Sequence, residues 1–138
     1  MQALLQALIS KITGDTPLAT IFGTAATVYL TEAPPSAAMP LVVVRLGAGR
    51  VSHDFSGDRI TIVPAQLQII AADINMALAG AERVGDLLDQ TTLNLSTGSL
   101  LLCTRTADIQ TAMPGFNSLL YAIYTANVHL ECQVFTPA

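Results

Sequence analysis

Residues 121–134 read YAIYTANVHLECQV, and this stretch decides the fold. Taken by twos, Ala122, Tyr124, Ala126, Val128, Leu130, Cys132 and Val134 share one face. Tyr121, Ile123, Thr125, Asn127, His129, Glu131 and Gln133 share the other. Successive side chains of a β-strand point to opposite faces, so the stretch predicts one apolar face and one mostly wet face. That pattern belongs to an antiparallel sheet covered on one side. At about 3.3 Å per residue the strand spans roughly 46 Å. A compact domain of this length is roughly 35–40 Å across. The strand is therefore as long as the domain and is expected to project from it.

Working outward, two further strands and two helices supply the partners. Residues 60–72 alternate Ala65, Leu67, Ile69 and Ala71 against Gln66, Gln68 and Ile70. Pro64 has no amide proton, which predicts an edge position or a bulge there. Residues 41–46 are apolar except for Arg45. Between these strands, residues 47–58 hold three glycines with Ser52, His53, Asp54 and Ser56. They read as a long loop or the mobile tip of a hairpin. Residues 32–40 contain Pro34, Pro35 and Pro40, so a loop is expected. Residues 28–30 form a short candidate strand, and residues 99–106 another.

The first helix is expected over residues 2–12, where Leu4, Leu5, Leu8, Ile9 and Ile12 recur at three- and four-residue spacing. Asp15, Thr16 and Pro17 resemble a second, short helix start. The second main helix runs from a cap at Asp73 or Asn75 to about Gln90, with Leu78, Ala81, Val84 and Leu88 inward and Glu82, Arg83, Asp86 and Asp89 outward. Gly80 and Gly85 lie inside it at a cost of about 1 kcal/mol each relative to Ala, and point to close approach on the sheet. The fold class expected is α+β: a mostly antiparallel sheet of four to five strands with two helices packed on one face, in one domain over residues 1–138.

Composition narrows the function. Apolar residues make up 51% and charged residues only 12%, against about 25% charged in an average soluble domain. Apolar groups must then cover part of the surface, which points either to burial against other subunits or to a sticky monomer. The six basic residues are scattered and the net charge is −4, so no basic stripe for nucleic acid is present. Residues 109–130 carry no charge beyond their ends but are too polar for a membrane span. The N-terminus lacks the pattern of a signal peptide. Cys103 and Cys132 lie in expected strands and read as free thiols that could face each other.

The densest polar constellation is Arg50, Ser52, His53, Asp54, Ser56, Asp58 and Arg59. His and Asp near a serine invite a hydrolase reading, yet adjacent His and Asp usually point apart, and no nucleophile-elbow motif accompanies them. The spacing fits no metal-ligand pattern. A polar, glycine-rich loop that meets a partner is the remaining reading. Met113, Pro114, Gly115 and Phe116 set two large apolar residues in a loop, either folded over the core or in a subunit contact.

The order of these features resembles the tail-completion, or tail-terminator, proteins of long-tailed bacteriophages. Leu4-Leu5-Gln6-Ala7-Leu8-Ile9 followed by Thr13-Gly14-Asp15-Thr16-Pro17-Leu18 is similar to that family's opening. Glu32-Ala33-Pro34 through Met39-Pro40-Leu41-Val42-Val43-Val44 is similar to its loop before an apolar strand. Residues 65–73 and the helix after them resemble its central strand and helix. The resemblance implies a ring, commonly of six subunits, at the head-proximal end of the tail tube. Such a ring ends tube polymerisation and joins the tail to the head connector or neck protein, with DNA passing through only as cargo. It implies a virion protein assembled in the host cytoplasm, with no catalytic residues, no cofactor, no metal and no membrane contact. Candidate subunit or tube contacts are Arg50, His53, Asp54, Phe55, Arg59, Met113 and Phe116. The alternatives are another neck or tail component, such as a head-closure protein or tube subunit, and a small hydrolase using His53 and Asp54.

Overall fold

The computed structural model describes residues 2–34, 37–95, 99–111, 115–116 and 122–137. Helices α1 (Gln2–Thr13) and α2 (Thr16–Phe22) open the chain. Strands β1 (Val28–Leu30), β2 (Leu41–Leu46), β3 (Arg50–His53) and β4 (Arg59–Ala71) follow, then α3 (Ile74–Leu88). The chain continues with β5 (Thr91–Asn94), β6 (Leu100–Arg105), β7 (Gln110–Thr111), β8 (Gly115–Phe116) and β9 (Ala122–Thr136).

The class is α+β, but the sheet is larger than the expected four to five strands. Its main path is β1-β2-β4-β9-β6-β5, with β3 paired to β4 and β7 and β8 paired to β9. The additional strands are β3, which makes residues 47–58 the hairpin tip among the two readings above, β5 directly after α3, and β7 and β8 before β9. All are too short for a period of two to show in sequence. Three helices are present rather than two, because the capped start at Asp15 does build its own helix. The sheet is mostly antiparallel; β1 and β2 run parallel.

The spine of the sheet is the β4–β9 pair, matched from Arg59↔Thr136 to Ala71↔Tyr124. On its covered face, Val63, Ala65, Leu67, Ile69 and Ala71 of β4 meet Val128, Leu130 and Cys132 of β9, all buried. Leu4, Leu8 and Ile12 of α1, Leu18 and Phe22 of α2, and Ala77, Ala81, Val84 and Leu88 of α3 close over them in one cluster. Burial of each large apolar side chain there contributes about 1.5–3 kcal/mol. The α3 stripe is centred on Ala77, not Leu78, which is only half-buried. Small residues on that line let the helix come close: a Cβ on Gly80 would lie 2.8 Å from Phe22 and 3.1 Å from Ile69. Leu41 and Val43 are also buried but stand outside this cluster, on the face shared with Gln68 and Ile70.

Polar contacts fix the helices to each other. Asp15 caps α2 by accepting from the Leu18 amide at 3.0 Å. The same carboxylate takes two hydrogen bonds from Arg83 of α3, at 2.8 and 2.7 Å. Arg83 was expected to face away; it instead reaches back across α2. The Arg83 hydrogen bonds, ahead of the Leu18 amide, hold the Asp15 carboxyl below the usual range against the opposing effect of burial. Asp89 accepts from the Arg105 amide at 2.8 Å and so ties the end of α3 to β6.

Cys103 and Cys132 are direct cross-strand partners, buried and free, with Sγ atoms 3.8 Å apart. The contact with Cys103, and then burial, push the Cys132 thiol up.

Candidate interaction surface

One end of the sheet extends beyond its helices, and the polar constellation of the sequence lies there. β2 and β3 are one hairpin arm running beside β4, interrupted at residues 47–49. On β2 the register pairs Leu46 with Ala65; on β3 it pairs Arg50 with Ile62. Three residues on one arm therefore oppose two on the other, a β-bulge, and the facing parity changes across it. Pro64 sits opposite the break, as its missing amide proton suggested, but on a central strand rather than an edge. The Gly47 amide donates to the Pro64 carbonyl at 2.8 Å. A Cβ at Gly47 would lie 2.7 Å from the Pro64 ring, so only glycine allows this approach.

Beyond the bulge, Arg50, Val51, Ser52 and His53 are all exposed. The turn that follows is compact. Asp54 Oδ1 accepts from the Ser56 amide at 2.9 Å, the Ser56 hydroxyl at 2.7 Å and the Asp58 amide at 2.9 Å. The Asp54 amide donates to the Asp58 carbonyl at 3.0 Å, and Gly57 takes the positive φ of 90° that the turn requires. The Ser56 hydroxyl, and then the backbone amides, keep the Asp54 carboxyl below its ordinary range.

This geometry bears on the residues singled out above. Arg50, His53, Asp54, Phe55 and Arg59 are brought together on the β3–β4 hairpin, with His53 directly across from Arg59. Asp54 Oδ1 is engaged within its own turn. His129, the second histidine, pairs with Gln66 farther along the sheet. Among the described residues no group of three His, Cys, Asp or Glu side chains is placed to hold a metal ion. No helix among them is long and apolar enough to cross a membrane. Met113 lies outside the described residues. Phe116 belongs to β8 and pairs with Ala122, while its side chain is outside the described part. Ala122 and Thr136 mark opposite ends of β9, so Phe116 stands roughly 46 Å of strand away from the hairpin.

Phe55, one of the candidate contacts, is fully exposed at the apex of the turn, and Val51, within the segment expected to be a loop or hairpin tip, is 57% exposed. Behind the hairpin lies an apolar groove of about 410 Å³. Its apolar lining comes from Ala3 and Leu4 of α1, Val51 of β3, Val63 of β4, Val134 of β9 and Leu95 after β5, and Arg59, Thr61, Ser99 and Thr136 add polar groups.

No family model matches this chain, and no curated protein matches it. Solved structures do match, and one of them is a chain in the virion of a native gene transfer agent (GTA) particle, with a TM-score of 0.59 and 22% sequence identity. The alignment covers 95% of this chain and 94% of that one. The likeness is therefore one of whole fold, from α1 to β9, and not of a shared core alone.

Proposed function

We propose that the chain is a structural protein of a phage-like virion, and specifically the ring that ends the tail tube at its head-proximal side and joins it to the head connector. The observation that carries this reading is the match of the whole fold to a chain of a gene transfer agent virion. The ordered resemblance of the sequence to tail-completion proteins supports the finer assignment. The composition agrees with it: with 12% charged residues, a closed ring hides surface that a monomer would leave exposed. The partners are further copies of the chain, the tube protein and the neck protein, and DNA passes through the lumen only as cargo. The role is mechanical and not catalytic, and the engagement of Asp54 within its own turn supports that part of the reading.

The test is the solution mass by light scattering across concentration and salt, followed by assembly of tube protein with and without this chain. The expected result is a discrete species near six times the 14.5 kDa chain, and tubes that stop growing when it is added. Unlimited polymerisation of the chain alone would make it a tube subunit. A monomer that leaves tube length unchanged would end the proposal.

A further inference from the structure

The hairpin turn and the groove are complementary, and both belong to the same chain. The turn presents one bare aromatic ring. Phe55 is fully exposed on a loop already closed by the Asp54 hydrogen bonds. An aromatic on a preformed loop loses little conformational freedom on docking, which is the economy of a good anchor. The groove offers largely apolar walls, and no described residue of its own chain fills it. Val51 forms one wall, and Phe55, four residues later in the turn, is fully exposed and is not part of the lining.

Charge agrees with shape. Asp54 and Asp58 flank Phe55 within the turn, and residues 54–58 contain no base. The groove lining contains Arg59 and no acidic residue. The first turn of α1, which supplies Ala3 and Leu4 to the wall, carries no acidic residue either. A helix N-terminus favours negative charge by its dipole. A turn led by an aromatic and flanked by two carboxylates thus meets a largely apolar hole whose lining holds the N-terminal turn of α1 and Arg59, a residue at the foot of the same hairpin.

We infer that the Phe55 turn of one copy seats in the groove bounded by Ala3, Leu4, Val51, Val63, Leu95 and Val134 of a second copy. A knob and a hole at different places on one molecule make a heterologous, head-to-tail contact, which closes into a ring when the rotation between copies divides a full turn. The inference rests on the ring reading above and names the surfaces that build it.

The test uses three proteins in sedimentation velocity: the natural chain, Phe55→Ala and Ala3→Glu. The second substitution places a like charge opposite the incoming turn, on an element separate from the hairpin and at a helix position that tolerates an acid. Unchanged thermal unfolding of both variants serves as the folding control. Each variant is expected to fall to monomer, with self-association weakened at least about 30-fold. Mixed in equal amounts, they should form dimers and nothing larger, because only one knob and one hole remain intact per pair. Oligomers unchanged in Phe55→Ala, or a mixture that stays monomeric, would overturn the contact while leaving the ring itself standing. A natural chain that is monomeric at every concentration, with and without tube protein, would overturn both.

Discussion

The two halves of β4 carry the same alternation and have opposite fates. In the half that ends at Ala71, the inward residues Val63, Ala65, Leu67, Ile69 and Ala71 are buried. In the half that begins at Arg59, the residues on that same face are exposed Arg59 and half-buried Thr61. The cause is length. β4 has 13 residues and spans roughly 43 Å. α3 has 15 but rises only about 1.5 Å each, or roughly 22 Å. A helix of nearly equal residue count roofs only half of such a strand. The covered half is core, and the uncovered half, with Val134 and Thr136 of β9 beside it, becomes the groove and the projecting hairpin. The candidate interaction surface is in this sense the core's own pattern continued past its cover.

The largest expected effect lies in the covered half. Leu67 is fully buried, and Leu67→Ala should cost about 3 kcal/mol in urea unfolding. A cost under 1 kcal/mol would mean that the two halves of β4 do not differ as described. Next comes the close approach at Gly80, where α3 meets both α2 and the sheet. Gly80→Val must push its side chain into Phe22 and Ile69, at 2.8 and 3.1 Å from the first carbon, for a loss of about 2 kcal/mol. Pairing it with Phe22→Leu should recover part of that loss, because the two substitutions share one space. Simple additivity would show that the strain is relieved elsewhere.

A smaller effect is expected where α2 joins α3. Asp15→Ala removes a helix cap worth about 1 kcal/mol together with the partner of Arg83. Its pH dependence has a definite sign. The folded carboxyl titrates below the unfolded value of 3.8. Its stabilisation is therefore fully present above that pH and is lost as pH falls through the lower, folded value. Unfolding midpoints of the natural chain and of Asp15→Ala should differ at pH 7 and converge only as pH falls through the folded value, which lies below 3.8. A gap that persists in acid would assign the effect to packing instead of charge.

The sheet's spine and its roof were legible because they are long. Fourteen alternating residues at the end of the chain, and the helical spacing of Ala81, Val84 and Leu88, repeat often enough for the period to stand out, although the stripe's first member is Ala77 and not the expected Leu78. Pro64 was legible too, because a missing amide proton has few permitted places. β3, β5, β7 and β8 were not, since strands of two to four residues carry no period and owe their conformation to β4, β6 and β9 beside them. The pairing of Arg83 with Asp15 depends on the angle between two helices, which local sequence does not encode. The hairpin residues were singled out for their polarity, yet the residue that dominates the tip is the apolar one among them. Its significance follows from exposure, and exposure here is set by how far the helices reach.

The smallest effect on stability is expected at that residue. Phe55 touches solvent on every side in the single chain, so Phe55→Ala removes no native packing and should change the unfolding free energy by no more than about 0.5 kcal/mol. The measurement belongs at low concentration, where self-association contributes nothing, since binding that is specific to the folded state adds apparent stability by mass action. At higher concentration the natural chain should gain in thermal midpoint while Phe55→Ala should not. The two curves then separate only as the protein is concentrated. Separation at every concentration would mean that Phe55 folds back on its own hairpin, and that the uncovered half of β4 is better packed than its exposure implies.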